Sequence, residues 1–345
     1  MSGFGEGEGE LLTLTYPKPL PMRLDRWLVA QRPEQSRARI QKFIESGYVR
    51  VNGVTGRAKT PLRQSDTVEL WMPPPEPLPY LMPQEIPLDV LFEDEHLIVL
   101  NKPAGLPSQG GSGQGERHVD ALAEALKFGY KEKPKLVHRL DKDTSGVLLL
   151  ARTDRVARAL SEALRHREAR KIYWAVVAGV PHPRQGSIKF GLVKAPGRGR
   201  GGEGEKMLCV HPSKVAETEG AKRAQTDYFT LWFLGARLSW MALEPVTGRT
   251  HQLRAHMAEI GHPILGDGKY GGPGQENPGD GWGATSGGDI SRKLHLHARS
   301  LTIEHPITKT MMTFTAPLPD HMARTWKLMD WKETDVPADP FASIR

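Results

Sequence analysis

Residues 138–143 read His-Arg-Leu-Asp-Lys-Asp, five charged or imidazole side chains in six positions, and Thr144, Ser145 and Gly146 lead from them into the apolar run 147–150. A continuous apolar run of this kind is what a fully buried strand carries, and a Thr-Ser-Gly turn lets the backbone enter it. A carboxylate beside an arginine at the mouth of such a strand is held in a fixed orientation, so Asp141 is the candidate catalytic carboxylate. A structural ion pair is the commoner account of an isolated Arg-x-Asp. It is the whole stretch, 138–151, that carries the inference.

A second dense stretch runs from Glu244 to Met257 and contains Thr247-Gly248-Arg249-Thr250-His251-Gln252-Leu253-Arg254. The Thr-Gly turn should lead into a helix, with Arg249, Thr250 and His251 near its N-terminus. A metal centre is the rival explanation, because His251, His256 and His262 lie close in sequence. Their spacings of five and six do not place them on one helical face, and the single Cys209 excludes a zinc site built on cysteine pairs. No metal is expected.

The elements that position these groups can be read from periodicity. Residues 90–92 and 97–100 read as two short strands closed by the turn Lys102-Pro103-Ala104-Gly105, and 171–177 as another strand. Val156, Ala159, Leu160, Ala163 and Leu164 mark one face of a helix, and residues 294–298 alternate like a strand. Two segments, 196–205 and 271–288, are glycine-rich and polar, and are expected to be surface insertions. Gln109-Gly110-Gly111-Ser112-Gly113 lacks the Gly-Lys-Ser ending of a phosphate loop and reads as a flexible loop.

Composition sets the frame. At 345 residues, 38% hydrophobic and 25% charged, the chain is long enough for two domains, and no apolar run approaches the ~18 residues of a membrane span. The acidic, glycine-rich start is unlike a signal peptide. A disordered tail over 1–18 and a cytoplasmic protein are expected. Residues 22–63 hold ten Lys or Arg against three acids, an excess equal to the +7 of the whole chain, so the remainder is neutral. In that segment Leu24, Trp27 and Leu28 mark one helix, while Ser36 can cap a second with Ile40, Phe43 and Ile44 on its apolar face. Residues 48–54 then read as a strand ending in the hairpin pair Asn52-Gly53. Confining the excess charge to one small unit is the electrostatic footprint of a phosphate-binding surface. Arg23, Arg37, Arg39, Lys42 and Arg50 are its candidate RNA contacts, and the segment resembles the S4 RNA-binding domain. Seven prolines between 73 and 87 read as a stiff linker. The expected organisation is a tail at 1–18, an S4-like domain at 19–71, a linker at 72–88, a catalytic domain at 89–331 and a C-terminal tail at 332–345.

The stretch at 138–151 resembles the central motif of the RluA-type pseudouridine synthases. So do the Lys-Pro-x-Gly turn at 102–105, Lys171-x-Tyr173, the arginine-rich stretch at 248–254, and the continuations Gly261-His262-Pro263, Gly266-Asp267 and Tyr270-Gly271-Gly272. The Gly-Gly-Ser-Gly loop is similar to the RluC branch. The resemblance implies an α+β fold with a mixed, largely antiparallel sheet and a central cleft, and an enzyme that isomerises uridine to pseudouridine in structured RNA. That reaction needs no cofactor. The resemblance also implies Asp141 as nucleophile or charge stabiliser, Arg249 paired with it, and Tyr173 packed on the uracil, where it is also a candidate base. Arg139 would fill the space left by a flipped-out nucleotide, and His138, Thr144, Leu253 and Arg254 would shape the substrate pocket. The S4-like domain and the Gly-Gly-Ser-Gly loop together point to large-subunit ribosomal RNA, with transfer RNA as the alternative substrate; a monomer without a membrane partner is expected. A noncatalytic RNA-binding or assembly protein and a histidine-based metallohydrolase are the competing functions.

Overall fold

A computed structural model describes residues 10–32, 37–72, 88–110, 117–166, 168–195, 206–271, 290–337 and 339–342, with the backbone alone described at 37–39. The chain divides into two units, Met1–Glu85 and Ile86–Arg345.

In the first unit, helices Leu24–Gln31 and Arg37–Glu45 pack on a four-stranded sheet ordered Glu10–Thr15, Thr67–Met72, Val49–Val51, Val54–Thr55. Leu24, Leu28, Ile40, Phe43 and Ile44 are buried together with Val49, Val68 and Leu70. Asn52 (φ 51°) and Gly53 (φ 79°) both occupy the left-handed region that an Asn-Gly hairpin turn demands. The expected tail at 1–18 is corrected. Glu10–Thr15 pairs antiparallel with Thr67–Met72, with Leu12 and Leu14 on its more buried face, and Tyr16 is fully buried and donates its hydroxyl to the Leu20 carbonyl at 2.6 Å. Met72 ends a strand, so the linker expected from 72 cannot begin there; its proline-rich part, and the Ser36 cap, lie outside the described residues.

The second unit is built on a ten-stranded sheet. Its main path runs Gln185–Ile188, Thr226–Leu234, Leu238–Pro245, Arg170–Ala178, Leu296–Glu304, Ser145–Ala151, Leu97–Lys102, Asp89–Glu93. Met311–Thr315 adds to Leu296–Glu304, and Lys135–Leu136 to Ser145–Ala151. Only the contact between Ser145–Ala151 and Leu296–Glu304 is parallel, so the sheet is mixed and largely antiparallel. Every residue of Ser145–Ala151 is buried, as its apolar run requires. Gly146 crosses beside Ala298 with φ +109°, and a Cβ there would lie 2.2 Å from the Ala298 carbonyl oxygen. Only glycine allows this approach, so the strand that leaves the Asp141 loop is fixed against its parallel neighbour.

Helix Asp154–Arg165 starts on a Thr153 cap and buries Val156 and Leu160. Ala159 is exposed and Ala157 packs inward in its place, a shift of the expected face by part of a turn. The expected C-terminal tail is also corrected. Phe341 is buried with Trp326 and Trp331, and Asp339 pairs with Arg170, so the segment closes over one face of the sheet. The insertion at 196–205, all but Gly271 of that at 271–288, and Gly111–Gly113 of the flexible loop lie outside the described residues.

Three histidines of this core have no exposed surface: His256, His295 and His297. Burial holds them well below the ordinary histidine value, to about 4, about 3 and about 4 respectively. They are neutral in the fold, whereas the unfolded chain protonates them near the ordinary 6.5. Their contribution is complete above that value and is lost as pH falls from it toward 4, at about 1.4 kcal/mol per histidine per pH unit. Urea unfolding midpoints should therefore drop steeply between pH 7 and 5, and a flat profile would show that these rings accept protons in the native state.

Candidate active site

The Asp141 loop is fastened by groups that the apolar strands bring beneath it. Lys102, at the end of its strand and wholly buried, donates Nζ to three carbonyls: Pro103 at 2.9 Å, Leu106 at 2.7 Å and Lys142 at 3.1 Å. Burial pulls this amine down to about 7, partly countered by the nearby carboxylates of Asp143 and Asp141. Gly105 N–H donates to the same Lys142 carbonyl at 2.9 Å. Ser108 Oγ donates to Leu140 O at 2.7 Å and accepts from Leu140 N at 3.0 Å. Within the loop, Thr144 N–H donates to Asp141 O at 3.1 Å, and His138 Nε2 accepts from Leu149 N at 3.0 Å. Burial pushes His138 down to about 3, so it serves here as a neutral brace.

Above the loop lies a cleft of about 1650 Å³ that is lined by His138, Arg139, Asp141, Thr144, Tyr173, Leu253 and Arg254 among others. The structure thus brings together the candidate site residues from the loop, the strand Arg170–Ala178 and the helix Gln252–Glu259. Arg139 is exposed at this cleft, whereas Thr144 and Leu253 are buried in its wall. Tyr173 is half-buried between two apolar clusters, and burial together with the Asp141 charge pushes its hydroxyl upward.

The arginine that pairs with Asp141 is Arg254, not Arg249. Arg254 Nη1 lies 3.4 Å from Asp141 Oδ2, and its other edge makes two 2.7 Å hydrogen bonds to Asp267, whose carboxylate is fully buried. Burial opposes the charge of the guanidinium, but Asp267 and Asp141 together raise its pKa above the ordinary value. Arg249 also lines the cleft, yet it is exposed and donates Nε to the Arg223 carbonyl at 3.2 Å. The reason is local. His251 adopts a left-handed conformation (φ 51°, ψ 21°) immediately before the helix, which separates Arg249 in the preceding turn from Arg254 in the first helical turn. Gln252, buried, holds that turn by accepting from Thr247 Oγ1 and Arg249 N and by donating to Gln225 O.

His251 Nε2 stands 3.8 Å from Asp141 Oδ2, and Tyr270 lies with its ring over the Arg254 guanidinium, 5.3 Å from Cζ. Neither was a candidate from the sequence, nor was Asp267. The Gly266-Asp267 and Tyr270-Gly271 continuations were the available signal for the last two. The three histidines do not converge: His256 bonds Thr226 Oγ1 and Phe190 O, and His262 bonds Ala178 O. Among the described residues no group of three or more His, Cys, Asp or Glu side chains could hold a metal ion, and no helix is long and apolar enough to cross a membrane.

In the first unit, Arg23 is committed in part to Asp25 through two hydrogen bonds of 3.0 and 2.7 Å. Lys42 is exposed and Arg50 half-buried on its strand; the side chains of Arg37 and Arg39 lie outside the described residues.

Residues 96–259 match the model of the RNA pseudouridylate synthase family, and residues 22–68 match that of the S4 domain. The ribosomal large subunit pseudouridine synthase D of Xylella fastidiosa is 36% identical over 310 residues, covering 88% of this chain and 87% of the relative. The chain belongs to the RNA pseudouridine synthase family. The dual-specificity RNA pseudouridine synthase RluA of Salmonella typhi is 37% identical over 241 residues, covering 69% of this chain and 96% of the relative. Among solved structures, human RNA pseudouridylate synthase domain containing 4 superposes with a TM-score of 0.56 at 30% identity, over 70% of this chain and 93% of that one. The α+β fold, the RluA-type resemblance and the N-terminal S4 domain expected from the sequence all stand.

Proposed function

We propose that this synthase isomerises particular uridines of large-subunit ribosomal RNA, with Asp141 acting on a nucleotide flipped out of its stack. The observation that carries the reading is a half-exposed carboxylate at the cleft, held by Arg254, which is itself held by a fully buried acid. Isomerisation breaks the N1–C1′ bond, turns the freed uracil, and joins C5 to C1′. One proton leaves C5 and one is gained at N1, so atoms and charge balance without a redox partner. A carboxylate fixed on one side of the sugar can attack C1′ or stabilise the positive charge that develops there. Tyr173 packs on the uracil. Because burial disfavours its phenolate, we assign it ring contact rather than proton abstraction. Unstacking the target costs a few kcal/mol, and we assign Arg139, exposed at the cleft, to the vacated position. The ribosomal RNA choice is supported by the S4 domain and by the likeness, over 88% of this chain, to a large-subunit synthase. We place the enzyme, as a monomer, in the cytoplasm with that substrate.

The test is a map of pseudouridines in total RNA from cells lacking the protein. Sites should disappear from large-subunit ribosomal RNA and remain in transfer RNA; the reverse pattern would overturn the substrate assignment.

The S4 unit has a separate expectation. If residues 22–63 grip phosphates, removing residues 1–75 should weaken RNA binding and reduce the salt dependence by about 0.7 to 0.9 in log-log slope per lost contact. Filter binding across a salt series measures this. An unchanged slope would reduce the basic face to a solvated surface.

A further inference from the structure

Beside the pair formed by Asp141 and Arg254 lies a second chain of contacts. His251 Nε2 faces Asp141 Oδ2 at 3.8 Å; on the other side of the ring, Nδ1 lies 3.0 Å from the Tyr270 hydroxyl. That hydroxyl accepts from the Met207 backbone N–H at 2.8 Å, which anchors the chain on the strand Met207–Val210. The tautomer that serves a carboxylate, which only accepts, carries the His251 proton on Nε2, toward Asp141. Nδ1 is then an acceptor, and the Tyr270 hydroxyl donates to it while receiving the Met207 N–H.

His251 is the residue before the helix, it makes no side-chain cap bond, and its left-handed backbone is uncommon outside glycine, asparagine, aspartate and histidine. The ring is largely buried and meets Tyr270 edge-on, with centroids 5.7 Å apart. The same Tyr270 ring covers the Arg254 guanidinium. One tyrosine therefore touches both groups that converge on Asp141.

Resting on the assignment of Asp141 as the reacting carboxylate, we propose that His251 and Tyr270 are positioning residues, which orient Asp141 through the order Met207 N–H, Tyr270 O–H, His251 Nε2–H. The 3.8 Å gap is longer than a hydrogen bond. Contacts of this kind tighten when the substrate is bound, and the chain then acts in turnover rather than in RNA capture.

The test compares kcat and KM on an RNA substrate in the full-length protein, using tritium release from 5-labelled uridine. Tyr270→Phe loses one oxygen and keeps the ring over Arg254; kcat should fall about tenfold with KM within about twofold and the melting temperature unchanged. His251→Leu should lower kcat further. His251→Gln, which can return an amide N–H near the Nε2 position, should recover part of the loss. Wild-type kcat in Tyr270→Phe, a change confined to KM, or equal kcat in the Leu and Gln variants would each overturn the proposal. If His251→Leu does not fold, the Tyr270→Phe and Gln measurements decide. Asp141→Asn separates the two readings. Retained turnover there removes the underlying assignment, whereas a dead Asp141→Asn beside an unaffected Tyr270→Phe and His251→Leu removes only the relay.

Discussion

Asp141→Asn is expected to lower isomerisation by about a thousandfold or more, as removal of a reacting group does, while RNA affinity stays within a few-fold. The asymmetry follows from where the energy of each step resides. RNA binding is dominated by contacts to phosphates, to which one carboxylate contributes little. The chemical step depends on the charge of that carboxylate, which an amide of the same shape does not supply. The fold should survive, because Asp141 is partly exposed and its loop is held through backbone atoms by Lys102, Ser108 and Gly105. Filter binding and tritium release, measured on the same preparation, give the two numbers. Turnover near that of the native enzyme would remove Asp141 from the reaction.

Arg254→Leu should be the most damaging single change in the site. It removes the partner of Asp141 and also strands Asp267, whose carboxylate has no solvent exposure. Breaking a buried pair by deleting one member costs about 3 to 5 kcal/mol, because the remaining charge is left unpaired. Arg249→Leu is the control. Arg249 is exposed, so its stability change should lie within about 0.5 kcal/mol. The double variant Arg254→Leu, Asp267→Leu separates folding from function. Replacing both members with apolar side chains should restore much of the stability, yet activity should remain lost because Asp141 has no arginine. Chemical denaturation and turnover of the three proteins make the comparison. Equal activity losses in the Arg249 and Arg254 variants would contradict the geometry.

The contrast between these two arginines also marks where the sequence stops being legible. The apolar run 147–150, the Asn52-Gly53 turn and the apolar strand at 171–177 are signals that the structure bears out in all three places. The arginine-rich stretch has two solutions. Which guanidinium faces Asp141 depends on a left-handed residue, His251, that no periodicity announces, and on a buried acid thirteen residues downstream of Arg254. The N-terminal strand was overlooked for a different reason. Its Leu11-Leu12-Thr13-Leu14-Thr15 alternation follows an acidic glycine-rich stretch, and composition averaged over the whole segment conceals a period of two. At the C-terminus, one phenylalanine and one aspartate, Phe341 and Asp339, dock the chain on a partner more than a hundred residues away, both meeting Arg170, so no local pattern could show it.

The way the Asp141 loop is tied has a consequence for mutational tolerance. Its fasteners, the Lys102 amine, the Gly105 N–H and the Ser108 hydroxyl, reach carbonyls of Leu140 and Lys142 and not their side chains. Position 142 lines the cleft while its own side chain bears none of this load. A saturation library should therefore accept many residues at 142, few at 102 and none but glycine at 146. What the cleft presents to its RNA can then drift across generations without moving the carboxylate, and a single catalytic frame can be retuned to new sequences one side chain at a time.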